Sequence, residues 1–182
     1  MSWKDADFLR RSPSAFHDNY HYKLVGGGGN TGITARTVYL PKELVWQDEF
    51  SWEPVAQTYE YSVEGNLLIQ ESTKKKGRHI TLVGQNDMAW IDREDMIKLV
   101  DLRNVAGLKM TLTFESIPDG KNNSIIKHSE YTVMFRHQDT ALEYTLVRNF
   151  DQYESDALYI INAIRFMEVL PNESQPDDTT GD

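Results

Sequence analysis

Apolar and polar residues alternate along several stretches of this 182-residue chain. In the clearest stretch, residues 108–115, leucine, methionine and phenylalanine occupy every second position, and polar residues stand between them. A period of two places successive side chains on opposite faces, which predicts a strand with one buried face. Similar patterns and short apolar runs predict further strands over residues 58–64, 79–83, 131–135, 143–148 and 158–169.

One segment has the pattern of a helix. Asp92 is a suitable N-cap residue, and Asp95 stands three positions later, as in a capping box. The helical pattern continues to Asn104, and Gly107 lies beyond its expected end. The strands follow one another at hairpin spacing, so antiparallel pairing is expected. The predicted fold is mainly β (α+β): an antiparallel β-barrel or sandwich-like domain with one short helix, an extended N-terminal arm and an acidic C-terminal tail.

Composition divides the chain into three parts. Residues 1–37 include four consecutive glycines and are predicted to form an extended arm or long loop that orders only against a partner. Residues 38–170 hold the strand patterns and form the predicted β-rich domain. Residues 171–182 contain four acidic residues, no basic residue and no large apolar residue, which is typical of a disordered tail.

Charge and residue content argue against several classes of protein. Asp and Glu number 28 against 19 Lys and Arg, a formal net charge of −9, which disfavours binding to nucleic acid. The chain has no cysteine, so disulfide scaffolds, cysteine-ligated zinc and thiol nucleophiles are excluded. The first residues lack the apolar core of a signal peptide, and no apolar run predicts a membrane span. Folding in the cytoplasm is therefore expected.

Two motifs have the spacing of functional sites without the context that such sites need. Gly27, Gly29 and Gly32 match a dinucleotide fingerprint, but β-branched residues follow where that motif needs a helix, which favours a flexible linker. His17 and His21 have the spacing of zinc ligands on a helix, yet no apolar helical pattern surrounds them. No Gly-x-Ser-x-Gly motif is present. The prediction is a protein that is not an enzyme and needs no cofactor or metal.

The candidate interaction residues are aromatic or basic. Trp46, Phe50 and Trp52 lie among polar residues and share the parity that would place them on one face of an extended chain. Such rings serve as core anchors or as interface hot spots. The basic run from Lys74 to Arg78 has three interpretations: a solvated turn, a docking site for an acidic partner or a phosphate contact, and the net charge favours the first two. The predicted protein-interface residues are Trp46, Phe50, Trp52, Lys74, Lys75 and Arg78.

Residues 40–84 resemble a known family. The likeness is carried by LPKELVWQDEFSWEPVAQ at 40–57, GNLLIQE at 65–71 and GRHITL at 77–82, with weaker support from 110–112 and 133–137. These segments are similar to tail and baseplate proteins of phages and phage-derived contractile particles, the family of the ripcord protein of R-type pyocins. Proline is usual in that family where His79 stands here. The likeness covers about residues 40–150, outside the glycine-rich arm and the acidic tail.

The resemblance implies a small β-barrel-like domain with a helix, placed near the hub where tail tube, sheath and spike complex meet. It implies no activity and no cofactor. The expected partners are other tail proteins (tube, hub, sheath or wedge components), in a ring of three- or sixfold symmetry. The expected location is the virion tail or baseplate, after synthesis in the bacterial host cytoplasm. In a non-contractile tail the resemblance implies an equivalent role at the tube end or in the distal tail.

Two other functions remain open from the residues alone. A β-barrel or sandwich can bind a small ligand or carbohydrate with an aromatic cluster as a stacking platform, in which case a concave site lined by Trp46 or Trp52 is expected. A metal-dependent hydrolase would use His17 and His21, which requires both side chains on one helix.

Overall fold

The structure is a computed structural model and describes residues 20–28, 31–85, 88–114, 129–147 and 157–171. The elements in chain order are β1 (Tyr20–Gly26), β2 (Arg36–Pro41), β3 (Leu44–Trp46), β4 (Val55–Tyr61), β5 (Leu67–Thr73), β6 (His79–Gly84), β7 (Trp90–Asp92), α1 (Arg93–Arg103), β8 (Met110–Phe114), β9 (Ser129–Phe135), β10 (Leu142–Leu146) and β11 (Leu158–Glu168). Every pairing between these strands is antiparallel. The mainly β prediction with antiparallel sheets and one helix is confirmed.

Nine of the described strands form one sheet, which we call the body. Its main path runs β2-β1-β8-β9-β11-β6-β3, and β7 and β10 also pair with β11. The eleven-residue β11 therefore has four neighbours. Its first half lies between β7 and β10, and its second half lies between β6 and β9. This long strand joins β6, β7, β9 and β10 in one sheet.

The body sheet curls so that its two ends approach each other. The terminal strands β2 and β3 are consecutive in the chain, with only Lys42 and Glu43 between them. The Tyr22 hydroxyl of β1 donates a hydrogen bond to the Leu44 carbonyl oxygen of β3 over 2.7 Å. Among the described residues no backbone ladder joins β3 to β1 or β2, so the body is barrel-like without being closed by strand pairing.

The alternation at residues 108–115 forms β8, and its apolar residues belong to the core. Met110, Leu112 and Phe114 of β8 are buried, because each points to the concave side of the sheet. α1 covers this core with its own buried residues Met96 and Leu99. The other members of the core cluster come from most of the body strands and include Leu24, Val38, Leu40, Ile80, Leu82, Val133, Ile161, Ile164 and Phe166.

The predicted helix start is confirmed at the atomic level. The Asp92 side chain accepts a hydrogen bond from the Asp95 backbone N–H over 2.8 Å, so Asp92 is the N-cap. The helix ends at Arg103, and Gly107 follows with φ of 72°. A positive φ is accessible to glycine at little cost, which suits the chain reversal between α1 and β8.

The predicted N-terminal arm needs a correction from Tyr20 onward. Tyr20–Gly26 is β1, which pairs with β2 on one side and β8 on the other. Leu24 of this strand is completely buried. The free energy gained by burying apolar side chains of β1 outweighs the conformational entropy that the strand and the following glycines lose. Gly27 and Gly28, both with positive φ, continue from this strand toward β2. Residues 1–19 and the predicted acidic tail from 172 onward lie outside the described residues.

Candidate interaction surfaces

The second sheet of the structure is a hairpin formed by β4 and β5, residues 55–73. Its seven residue pairs run from Val55 opposite Thr73 to Tyr61 opposite Leu67. Each strand has extensive contacts only with the other, and neither strand pairs with the body. At ~3.3 Å per residue the paired part is about 23 Å long. The strand predicted at residues 58–64 is present here, but the prediction of a half-buried face is wrong, because the side chains are exposed.

The tip of the hairpin is a tight three-residue loop, Val63 to Gly65, because Ser62 and Asn66 still pair with each other. The Ser62 N–H donates to the Asn66 carbonyl oxygen and the Gly65 N–H donates to the Ser62 carbonyl oxygen, each over 2.8 Å. Gly65 has φ of 83°, which suits the left-handed position that ends such a loop. The loop chemistry therefore fixes the register of the hairpin locally, without help from the body.

One face of the hairpin is apolar. Residues directly opposite each other share a face, so the odd-numbered residues of both strands form one side. That side carries five apolar or aromatic residues, between 48% and 69% exposed: Val55, Tyr59, Tyr61, Leu67 and Ile69. The rings of Tyr59 and Tyr61 meet edge to face with centroids 6.4 Å apart. We call this side the apolar hairpin face; the opposite side carries Thr58, Glu60 and Gln70 among mostly polar residues.

The residues just before β4 and just after β5 contact each other at the root of the hairpin. The Lys74 N–H donates to the Pro54 carbonyl oxygen over 2.7 Å, which continues the ladder one step toward the body. The Lys74 ammonium lies 5.5 Å from the centre of the half-buried Trp52 ring, a cation–π contact. A groove of about 300 Å³ lies beside these residues, and Asp48, Glu53 and further polar residues line it.

Trp46 belongs to an aromatic cluster at the end of the body sheet. Its ring centroid lies 4.9 Å from that of Phe114 and 5.7 Å from that of Tyr131. The indole N–H donates to Asp48 over 2.8 Å, and the Arg78 guanidinium lies 4.3 Å from the ring centre. These contacts give Trp46 the role of a core anchor.

A second concave site of about 300 Å³ opens beside this cluster. Trp46, Phe114 and Tyr131 line it together with Tyr22 and Glu49. Burial raises the pKa of the Tyr22 hydroxyl, and the nearby Glu49 carboxylate raises it further, because both disfavour a phenolate. The hydroxyl stays protonated at neutral pH and donates to Leu44 as described above.

The remaining predicted interface residues fall into two kinds. Phe50 is 93% exposed and lies in a turn after β3, and Lys75 is also exposed. Arg78 is half-buried, stacks on Trp46 and donates to the Glu49 carbonyl oxygen, so it stabilises the body. Because the chain turns at residues 47–50, the expectation that the three rings share one face is wrong.

The sequence reasoning did not identify the apolar hairpin face as an interaction surface. Its alternation of aromatic and β-branched residues is the same signal that a half-buried strand produces. One available hint was the glycine-containing tip at residues 62–66, followed after the seven residues of β5 by a basic run, which marks a hairpin whose root lies at the surface. Whether other elements cover such a hairpin depends on tertiary structure.

The motifs set aside in the sequence have no supporting geometry among the described residues. Gly27 and Gly32 stand between β1 and β2, where a strand follows in place of the helix that a dinucleotide site needs. His21 lies in β1, and His17 lies outside the described residues. In the described part of the chain there is no group of three or more metal-ligating side chains. The described ranges also contain no helix that is long and apolar enough to cross a bilayer.

Comparison with known proteins gives no relative from which to transfer a function. No protein-family model, no curated protein and no solved structure matches this chain.

Proposed function

We propose that this protein is a structural component of a phage or phage-like tail, which links the end of the tail tube with hub or baseplate proteins. It acts by binding other tail proteins, without catalysis and without a cofactor, as part of a ring of three- or sixfold symmetry in the virion tail. The observation that carries the proposal is the hairpin of residues 55–73, which presents five apolar side chains to solvent.

An isolated two-stranded hairpin is at most marginally stable in water. Exposed apolar patches on soluble proteins mark binding surfaces, and unpaired strand edges are templates for another chain. Here the apolar side chains of Tyr59, Tyr61 and Ile69 are all more than half exposed. A protein that functions within an assembly covers such a surface with its neighbours, so the hairpin suits an assembly component.

The resemblance to tail proteins supports the same proposal from a different direction. The family-like residues 40–84 span β3, the whole hairpin and β6. The likeness therefore includes the projecting hairpin and the residues of its root, together with the neighbouring body strands. A projecting hairpin on a compact body suits the connection of subunits around a ring. The body can pack in its own position while the hairpin contacts the neighbouring subunit.

The proposal is tested by disrupting the gene in its source genome and imaging the particles that form after induction of the tail genes. We expect tails that are missing, or that lack a normal tube end, and we expect complementation by the wild-type chain. Complementation by a chain in which Tyr59 and Ile69 are both replaced by Lys should fail, while the same double replacement at Thr58 and Gln70 should succeed. Normal tails that contain no copy of this chain would refute the proposal.

A small-ligand or carbohydrate-binding module is the second candidate. The concave sites beside Trp46 and Trp52 favour it, because each has about 300 Å³ and each is lined by an aromatic ring. That volume is at the lower limit of ordinary ligand pockets. A thermal-shift screen with mono- and disaccharides tests it: a stabilisation that disappears in Trp52→Ala would support binding, and no stabilisation by any ligand would remove the candidate.

A further inference from the structure

We propose that the segment before β1 docks on the body of its own copy and that the Phe16 side chain fills the concave site beside Trp46. We call this site, which four rings line, the aromatic site. Its occupant is thus residues 1–19 of the same chain, with Phe16 as the anchor. The inference does not depend on the proposed tail function, because its experiments use the isolated chain.

The aromatic site is suited to hold one more aromatic side chain. Tyr22 and Phe114 already meet edge to face in it, with ring centroids 5.1 Å apart. Aromatic rings favour such contacts, and a further ring placed there removes about 150 to 250 Å² of its own surface from water. About 300 Å³ is small for a separate ligand but leaves room for one such side chain.

The path of the chain leads directly from the aromatic site to residues 1–19. β1 begins at Tyr20, and Tyr22, only two residues later, lines the site. Tyr20 also pairs with Pro41, and Leu44, three residues after that proline, is another residue of the site. The segment before β1 therefore leaves the body beside the site.

The short connection favours Phe16 over the residues further upstream. Phe16 lies six residues before Tyr22, and six extended residues span about 20 Å, which is enough to turn back over the site. A tether of this length gives the ring an effective concentration in the millimolar range or above, so a contact of low intrinsic affinity is still formed. Phe8 would require eight more residues to be ordered, at a larger cost in conformational entropy.

Composition favours this end of the chain over the other as the occupant. The first nineteen residues include four large apolar side chains: Trp3, Phe8, Leu9 and Phe16. Residues 8–17 also contain Arg10 and Arg11 and no acidic residue, whereas the aromatic site includes the Glu49 carboxylate. Residues 171–182 have no large apolar residue and four acidic ones. Burial and charge therefore both favour the N-terminal segment.

Fluorine NMR of the full chain labelled with 5-fluorotryptophan tests the contact, because Trp46 lines the site. Replacing each of the four tryptophans by Phe in turn assigns the resonances. We expect Phe16→Ser to move the Trp46 resonance and to leave those of Trp52 and Trp90, which also report that the body stays folded. The matched control Phe8→Ser should leave all three resonances in place.

Cross-linking tests the same contact in a chain that keeps the anchor, since the natural sequence has no cysteine. Ala15→Cys places a thiol beside Phe16, and Val45→Cys places one at the rim of the site, where the valine is 45% exposed. We expect this double variant to form an intramolecular disulfide under mild oxidation. Adding Phe16→Ser should slow that reaction at least about tenfold, and adding Phe8→Ser should change it less than about twofold.

Three outcomes would overturn the inference. A Trp46 resonance that Phe16→Ser leaves unchanged would exclude the contact. Equal rates of cross-linking with and without the Phe16 ring would show that the segment reaches the site without binding it. A mixture of the two single-cysteine chains that cross-links as fast as the double variant would show that the site takes the segment of a second copy.

Discussion

The body and the hairpin are both antiparallel β-structure, but the body buries its apolar side chains and the hairpin exposes them. β8 of the body alternates residues and buries Met110, Leu112 and Phe114. β4 of the hairpin also alternates, with Gln57 as an interruption, and it exposes Val55, Tyr59 and Tyr61. The pattern along a strand therefore specifies its conformation and which residues share a face. Burial depends on whether another element covers that face, and in the hairpin none of the described elements does.

The largest expected difference between the two regions concerns truncation of an apolar side chain. Leu112→Ala removes a completely buried side chain and should lower the free energy of unfolding by about 2 to 5 kcal/mol. Ile69→Ala removes an exposed one and should change it by less than ~0.5 kcal/mol in the monomer. Urea unfolding at low protein concentration measures both. Similar losses for the two variants would contradict the contrast between body and hairpin.

Replacement of a glycine by alanine should have the next largest effect, and its physical cause should differ between the body and the hairpin. A Cβ on Gly84 would lie 1.9 Å from the Ile161 carbonyl oxygen, so the backbone must move, and Gly84→Ala should cost about 1 to 3 kcal/mol or more. A Cβ on Gly65 meets nothing within 4 Å, and the cost of Gly65→Ala, about 1 to 2 kcal/mol, comes from its positive φ.

The two glycine variants should also differ in where their cost is observed. Gly84→Ala should lower global stability in urea. Gly65→Ala should leave global stability unchanged and speed hydrogen exchange only in the hairpin, because the body unfolds independently of the tip. A global loss in Gly65→Ala would show that body and hairpin unfold together.

Loss of the helix cap should have a moderate effect, confined to the body. Asp92→Ala removes the acceptor for the Asp95 N–H and should lower the free energy of unfolding by about 1 kcal/mol. Asp92→Asn keeps a capping oxygen and should lie close to the wild type. If both variants lose the same stability, the charge of Asp92 rather than its hydrogen bond is responsible.

Removal of the hairpin should have the smallest effect on stability. Pro54 and Lys74 already meet through a backbone hydrogen bond at the root, so a short glycine–serine link can replace residues 55–73 without moving the body. We expect the urea midpoint of the body to remain near the wild-type value, since loop length changes stability only slightly. A clear fall in that midpoint would show that the hairpin stabilises the body.

Much of the architecture could be predicted from the sequence. The antiparallel β class, the strand around residues 108–115 and the Asp92 cap depend on local rules of periodicity and capping, which act within a few residues. β1 was not predicted, because its short apolar pattern precedes four glycines and its order depends on partners distant in the chain, β2 and β8.

The candidate sites were less predictable for the same physical reason. Trp46 and Arg78 are far apart in the sequence, and only the pairing of β3 with β6 brings them into contact. The rings of Trp46, Phe50 and Trp52 were predicted to share a face, but the turn at residues 47–50 separates them. Exposure of the apolar hairpin face is likewise a property of what surrounds it, which no local pattern encodes.

The position of β11 at the end of the body has a consequence for the order in which the chain folds during its synthesis. All four of its partners, β6, β7, β9 and β10, precede it in the chain, so the body sheet cannot be completed before β11 has been made. Pairing between distant segments is slow because the intervening loop must first be closed. The hairpin, by contrast, can close within about ten microseconds of its own synthesis. During translation, therefore, a finished hairpin should precede an unfinished body, and chaperone protection should matter most before residue 168 has been made.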